Sequence, residues 1–263
     1  MNDALTESRA MELLPEVVRL AREAGAAILK VYREVNPTVA YKADDSPLTH
    51  ADLASHGIIV EGLTRLTPEW PVLSEESSEI PFDQRRSWGC FWLVDPLDGT
   101  KEFVSRRDEF TVNIALMVDN RPTLGVVYAP ALDRLYYAAK GAGAWKSDGA
   151  TLSRIGVAPA FAHTVRMVIS RDHGSGEEQL RQFTRGAEHC EFVPMGSSLK
   201  FCLVAEGAAD VYPRLGPTME WDTAAAHCIV EEAGGVVTDL DGNSMIYNKA
   251  VLRNPGFIAK GQV

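Results

Sequence analysis

Phe91 to Phe103, FWLVDPLDGTKEF, sets an apolar run against a turn that holds two aspartates. The run reads as a buried strand, so Asp95 emerges at its carboxyl end, where open α/β folds commonly place ligand sites. Asp98 follows across the Pro96-Leu97 turn, and Gly99 permits close approach of backbone to a ligand. Both carboxylates can therefore converge on one point. Taken alone, the segment reads equally well as a turn in which Asp98 or Thr100 caps a helix beginning near Lys101.

Working outward, two helices precede this strand. Leu13, Val17, Leu20, Ala24, Ala27 and Val31 step by four and three alternately, which predicts a helix of about 20 residues. A second helix is expected from about His50 to Leu66 with Asp52 in its first turn, after a loop or hairpin over Tyr41 to Thr49, YKADDSPLT. From Pro71 the pattern is of strands: PVLSEE, CFWLVD, FTVNIALMVD, TLGVVYAP and RLYYAA, an antiparallel or mixed sheet of hairpins.

Beyond the GAGAW turn and a polar stretch near 146 to 160, strands and helices alternate. Strands are expected at Arg166 to Ser170, Glu191 to Pro194, Ala209 to Arg214 and Val236 to Leu240. Helices are expected near Glu177 to Thr184, Ser198 to Ala205 and Asp222 to Ala233, with Gly234-Gly235 where a left-handed cap needs glycine. The chain divides near residue 150, into an α+β half (1–150) carrying Glu75 and DPLDGT and an α/β half (151–263) carrying Asp222. The two are expected to form one compact unit.

Two further acidic segments change the weight of the first. Leu73-Ser74-Glu75-Glu76 follows a short strand, and Glu220-Trp221-Asp222 opens a helix. Alone, Asp222 is an ordinary helix cap, and Glu75 or Glu76 a solvated charge. Brought together, each carboxylate pair about 4 Å apart would repel by roughly 4 kcal/mol at an effective dielectric near 20, which only bound cations would offset. An all-oxygen set favours Mg²⁺ over zinc, and His50 and His56 have no evident ligand partner and read as surface residues. Phosphate ester hydrolysis fits such a cluster.

The 263 residues, 46% hydrophobic and 24% charged, suit a folded enzyme rather than a disordered chain. A net charge of −10 without a basic block argues against polymeric nucleic acid as a partner. The four cysteines, Cys90, Cys190, Cys202 and Cys228, show no CxxC spacing and read as reduced thiols. No leader or bilayer-length apolar stretch is evident, which points to the cytoplasm and is compatible with weak peripheral attachment to the inner face of the inner membrane. No sequence feature fixes an oligomeric state.

LSEE at Leu73 to Glu76, WLVDPLDGTKEF at Trp92 to Phe103 and WDTAAAH at Trp221 to His227 resemble the lithium-sensitive, Mg²⁺-dependent phosphatases related to inositol monophosphatase. The similarity spans almost the whole chain. DGTKEF, GSSLKFCLVAEG at Gly196 to Gly207 and YPRLGPT at Tyr212 to Thr218 resemble the nucleotide-cleaving branch, the bacterial bisphosphate nucleotidases of sulfur assimilation.

The resemblance implies a layered α/β/α/β/α sandwich of the inositol monophosphatase and fructose-1,6-bisphosphatase type, holding two or three Mg²⁺ ions. It implies metal ligation by Glu75, Asp95, Asp98, Asp222 and the main-chain carbonyl of Leu97, with Asp52 and Thr100 orienting a nucleophilic water and Glu75 also catalytic. The amides of Gly99 and Thr100 would hold phosphate oxygens, with Glu75, Leu97, Asp98 and Asp222 also bordering the substrate. His173, Ser197, Lys200 and Arg214 match the nucleotide-binding positions.

Asp172 stands where close relatives often carry serine, and Arg214 where inositol-cleaving members tend to carry glutamate. A guanidinium suits a second phosphate. The implied reaction is hydrolysis of adenosine 3′,5′-bisphosphate to AMP and phosphate, with 3′-phosphoadenylyl sulfate as a second substrate. The alternatives are an inositol monophosphatase or sugar bisphosphatase and, from another class, a non-catalytic metal- or nucleotide-binding regulator.

Overall fold

Strand β2 (Cys90–Asp98) lies near one edge of a seven-stranded sheet and carries the acidic turn on its carboxyl end. In the computed structural model, which describes residues 3–34, 47–159, 163–171, 180–184 and 186–261, this sheet runs in sequence order from β1 (Val72–Ser74) to β7 (Thr151–Ile155). β1 is parallel to β2, and β3 (Thr111–Val118), β4 (Arg121–Ala129), β5 (Arg134–Ala139) and β6 (Gly143–Asp148) continue as an antiparallel meander.

β2 and β3 read as near-continuous apolar runs because helices cover both faces. On one face, α1 (Asp3–Glu34) and α2 (Pro47–Leu66) bury Val17, Leu20, Ile59 and Leu63 against Trp92, Ile114 and Val126. On the other, α5 (Leu199–Ala205) and α6 (Glu220–Glu232) pack between this sheet and a second one. Small residues on α6 allow close approach: a Cβ on Gly125 of β4 would lie 2.1 Å from the Ala225 carbonyl oxygen.

The second sheet has the order β11-β12-β10-β8-β9, from β8 (Thr164–Ile169), β9 (His189–Pro194), β10 (Val211–Arg214), β11 (Gly235–Asp239) and β12 (Phe257–Gly261). Its outer face carries Val165, Met167 and Val211 against Leu180 and Phe183. The layers are thus α/β/α/β/α, the outermost one represented among the described residues by a 3₁₀ turn at Arg181–Thr184.

Several elements differ from expectation. α2 begins at Pro47, which suits a first helical position, so Asp52 stands in its second turn rather than its first. The loop or hairpin expected from Tyr41 lies mostly outside the described residues, and Pro47 to Thr49 are helical. α1 is longer than expected, and beyond Ala24 its buried stripe passes to Ile28 and Tyr32, four residues apart, because α-helical periodicity drifts off the seven-residue repeat. The polar stretch near 146 to 160 contains the second half of β6 and all of β7, and β12 was not expected. Gly234 does take the left-handed conformation (φ +90°) at the end of α6. None of the four cysteines forms a disulfide among the described residues.

Candidate active site

A regular strand would point Asp95 and Asp98, three residues apart, to opposite faces. The pairing with β3 shows how this is avoided: Asp95 faces Asn113 and Asp98 faces Thr111, so β2 spends three residue steps where β3 spends two. The extra residue at Pro96-Leu97 is a β-bulge, which re-aims side chains and brings both aspartates to the same side. Leu97 buries its side chain and donates its N–H to Asp95 Oδ1 at 3.0 Å, leaving its main chain as the part that a ligand could meet.

The helix that follows is the five-residue α4 (Thr100–Val104), capped by Gly99 in the left-handed conformation with no side-chain capping bond. Asp98 is therefore not a helix cap. Its Oδ2 accepts the Ser198 backbone N–H at 2.6 Å. The N–H groups of Gly99 and Thr100 precede the first helical bond, from Phe103 N–H to the Gly99 carbonyl, so they have no partner within the helix.

Asp222 lies in the first turn of α6, and its Oδ2 accepts the Met219 N–H at 2.8 Å. Glu75 opens a single 3₁₀ turn, Glu75–Ser77, directly after β1. Asp52 reaches the site from α2, which Ser55 pins by donating its hydroxyl to the Pro96 carbonyl at 2.7 Å. His56 Nδ1 lies 2.9 Å from Ser74 Oγ, the residue before Glu75, so this histidine is a half-buried support rather than a surface residue.

These carboxyls feel one another. Burial holds the Asp95 carboxyl far above the usual range, reinforced by the charges of Asp98, Glu75, Asp222 and Asp52. Burial, then Glu76 and Glu75, pushes Asp52 up to about 8. Burial, then Asp98, pushes Asp222 up to about 7. Glu75 is exposed on its outer side, yet burial of its carboxyl, Asp98 and Glu76 raise it too, against a hydrogen bond with Asp95. Asp98 is raised by burial despite the opposing charge of Lys200.

Five like charges raised together, with Asp52 Oδ1 buried and lacking a hydrogen-bond partner, are what a hard-cation site looks like before its cation is counted. Among the described residues, no group of three or more His, Cys, Asp or Glu side chains stands in closed ligand geometry. The donor chemistry fits Mg²⁺, and the oxygens come from separate elements of the fold.

Beside the carboxylates opens a cleft of about 250 Å³ that Asp98, Gly99 and Asp222 share with Ser197, Lys200 and Arg214. Ser197 is held at φ +42° and is nearly buried. Lys200 is buried with Nζ 5.7 Å from the centre of the Tyr212 ring, and burial lowers its pKa to about 8 against the pull of Asp98. Arg214 donates to Ser170 Oγ at 2.7 Å and the Pro217 carbonyl at 3.3 Å. Thr100 is exposed beside the cleft residues Gly99 and Lys101. His173 lies outside the described residues.

Sequence reasoning missed Arg171 and Lys101 in the cleft wall, and Glu109, whose carboxylate accepts Arg171 Nε at 2.8 Å and the Gly196 N–H at 2.8 Å. It also missed Ser55 and read His56 as a surface residue. Their spacing of three and four from Asp52 along one helix face was the available signal.

A sequence model of the Inositol monophosphatase family matches residues 10–262. The chain belongs to the inositol monophosphatase family. Within it, the chain is 49% identical over 247 residues to the 3′(2′),5′-bisphosphate nucleotidase CysQ of Salmonella typhimurium, covering 93% of this chain and 98% of that protein. It is 48% identical over 247 residues to CysQ of Escherichia coli K12, with the same coverage. The crystal structure of CysQ from Bacteroides thetaiotaomicron superposes with a TM-score of 0.86 at 40% identity, covering 98% of each chain. At 22% identity, inositol monophosphatase-II of Staphylococcus aureus shares the family fold, with a TM-score of 0.77 over 96% of this chain and 89% of that one.

Proposed function

We propose that this family member is a Mg²⁺-dependent phosphatase that hydrolyses adenosine 3′,5′-bisphosphate to AMP and phosphate, with 3′-phosphoadenylyl sulfate as a second substrate. The observation that carries the reading is the mixed lining of one cleft, in which the carboxylates of Asp98 and Asp222 stand together with the buried Lys200 and with Arg214. A substrate with two phosphates needs both kinds of group, acidic oxygens to hold cations at the phosphate that is cleaved and cationic side chains for the one that is not. Near full-length likeness to proteins named CysQ supports the nucleotide over an inositol or sugar phosphate.

Glu75, Asp95, Asp98, Asp222 and the main chain of Leu97 would hold the cations, two or three in number. When bound, these supply neutralisation of the phosphate oxygens, activation of water and stabilisation of the departing alkoxide. The chain itself does the orienting. Gly99 and Thr100 offer backbone N–H groups to phosphate oxygens, and Asp52 and Thr100 align the attacking water. Lys200 and Arg214 receive the phosphate that is not cleaved, while Ser197 borders the nucleoside.

Phosphate release from adenosine 3′,5′-bisphosphate, inositol 1-phosphate and fructose 1,6-bisphosphate, with and without Mg²⁺, tests this. Preference for the nucleotide is expected. Preference for inositol or sugar phosphate would assign the other branch, and no release from any would make the chain a binding protein.

A further inference from the structure

Glu220 is completely buried, two residues before Asp222, and does not line the cleft. Its carboxylate accepts three hydrogen bonds: Oε2 accepts the Asn248 N–H at 2.6 Å, and Oε1 accepts the Lys249 N–H at 3.0 Å and a bond from Lys249 Nζ at 2.6 Å. Lys249 Nζ also donates to Asn254 Oδ1 at 3.2 Å. Asn254 Nδ2 in turn donates to the Met219 carbonyl at 2.7 Å. The Met219 N–H is the group that holds Asp222 Oδ2.

The same loop reaches the other acidic segment. Arg85, on the short helix α3 (Phe82–Arg85) between Glu75 and β2, is buried and donates to Asn248 Oδ1 at 2.9 Å and the Lys249 carbonyl at 3.0 Å. One polar network therefore spans the stretch after Glu75 and the turn before Asp222.

We propose that Glu220 and Lys249 are positioning residues, an ion pair between a fully buried carboxylate and a partly exposed ammonium that locks the Met219–Asp222 turn so that the Asp222 carboxyl is presented to a cation. This rests on the reading of Asp222 as a ligand. A buried ion pair is a poor source of stability, since neutral replacements of similar volume are often as stable or more so, whereas groups that orient a ligand typically change metal affinity when lost.

The test is calorimetric titration of Mg²⁺ into metal-free protein, with melting temperature alongside, for E220Q, K249M, K249R, the pair E220Q/K249M, and D222N as control. Expected are a loss of Mg²⁺ affinity of about tenfold to a hundredfold in E220Q and in the pair, recovery in K249R relative to K249M, and a melting temperature of the pair close to the parent's. Parent-like Mg²⁺ affinity in the pair, with D222N impaired, overturns the lock alone. Parent-like affinity in D222N overturns the ligand reading and the lock with it. If E220Q does not fold, the pair decides.

Discussion

Ser198 donates its backbone N–H to Asp98 Oδ2 at 2.6 Å, across 100 residues of sequence. The turn that carries Ser197 and leads into α5, on which Lys200 lies, thus fixes one oxygen of a candidate ligand and leaves the other for a cation. In Asp98→Asn the amide oxygen would keep the Ser198 bond and turn the NH₂ toward the cation position. Phosphate release should fall by at least roughly a hundredfold, and Mg²⁺ titration should show weakened binding. Normal release by Asp98→Asn in a folded protein would remove Asp98 from the site.

Asp52 and Asp222 lead to a prediction about pH. Their folded-state values, about 8 and about 7, lie above the ordinary 3.8, so the folded protein holds protons that the unfolded chain releases. The stability they contribute is full below about pH 4 and is lost as pH rises toward 7 and 8. Metal-free protein should melt at a lower temperature at pH 8 than at pH 5.5, and millimolar Mg²⁺ should recover more at pH 8. Asp95→Asn, which puts a neutral amide in place of a 1% exposed carboxyl that the fold keeps protonated beside four other carboxyls, should raise the metal-free melting temperature while abolishing phosphate release. Thermal scans across pH, with and without Mg²⁺, would show either pattern.

The acidic motifs were legible because each sits where a recognisable element ends: Asp95 after an apolar run, Glu75 after a short strand, Asp222 at a helix start. What joins them was not. Whether residues three apart share a face depends on the bulge at Pro96-Leu97, and that is visible only in the register against β3. β7 escaped notice because as an edge strand its residues are almost all exposed, so no apolar alternation marks it. Glu109 and Gly196 meet across 87 residues, a contact that no local pattern encodes.

That contact also gives a steric prediction. A Cβ on Gly196 would lie 2.5 Å from Glu102 Cγ and 2.9 Å from the Glu109 carbonyl oxygen, so Gly196→Ala must move the turn that leads to Ser198. Gly99, at φ +93°, would place a Cβ 3.2 Å from the same carbonyl oxygen, and an L-residue there costs about 1–2 kcal/mol in conformation alone. Both alanine variants should be less stable in denaturant titration and lose phosphate release. Parent-like values for both would mean that the two turns do not depend on this close approach.

Thr100 separates positioning from metal binding. It is exposed at the first position of α4, follows the candidate ligand Asp98 by two residues, and no hydrogen bond of its hydroxyl caps the helix. Thr100→Ala should therefore lower kcat far more than it weakens Mg²⁺, since aligning a nucleophile matters mostly in the transition state. A variant with unchanged kcat and lost Mg²⁺ affinity would give the hydroxyl the other role.

The role proposed for Arg214 gives a prediction about specificity. The cations can neutralise only the phosphate being cleaved, and the chain as a whole is at −10, so the second phosphate needs a local positive partner. Arg214 is held in the cleft by Ser170 and Pro217, and its Nε is buried without a hydrogen-bond partner, so its plane is set before a ligand arrives. A charge-assisted hydrogen bond to such a phosphate is worth roughly 1.5 to 3 kcal/mol, or about tenfold to a hundredfold in kcat/KM. Arg214→Glu should impose that loss on adenosine 3′,5′-bisphosphate and leave 3′-AMP, which lacks the second phosphate, far less affected. A general electrostatic effect on the nearby Asp222 would instead depress both substrates by the same factor, because both use the same cleavage site. Equal losses would therefore assign Arg214 to the charge balance of the carboxylates, and the second phosphate would have to be read by Lys200 or Arg171.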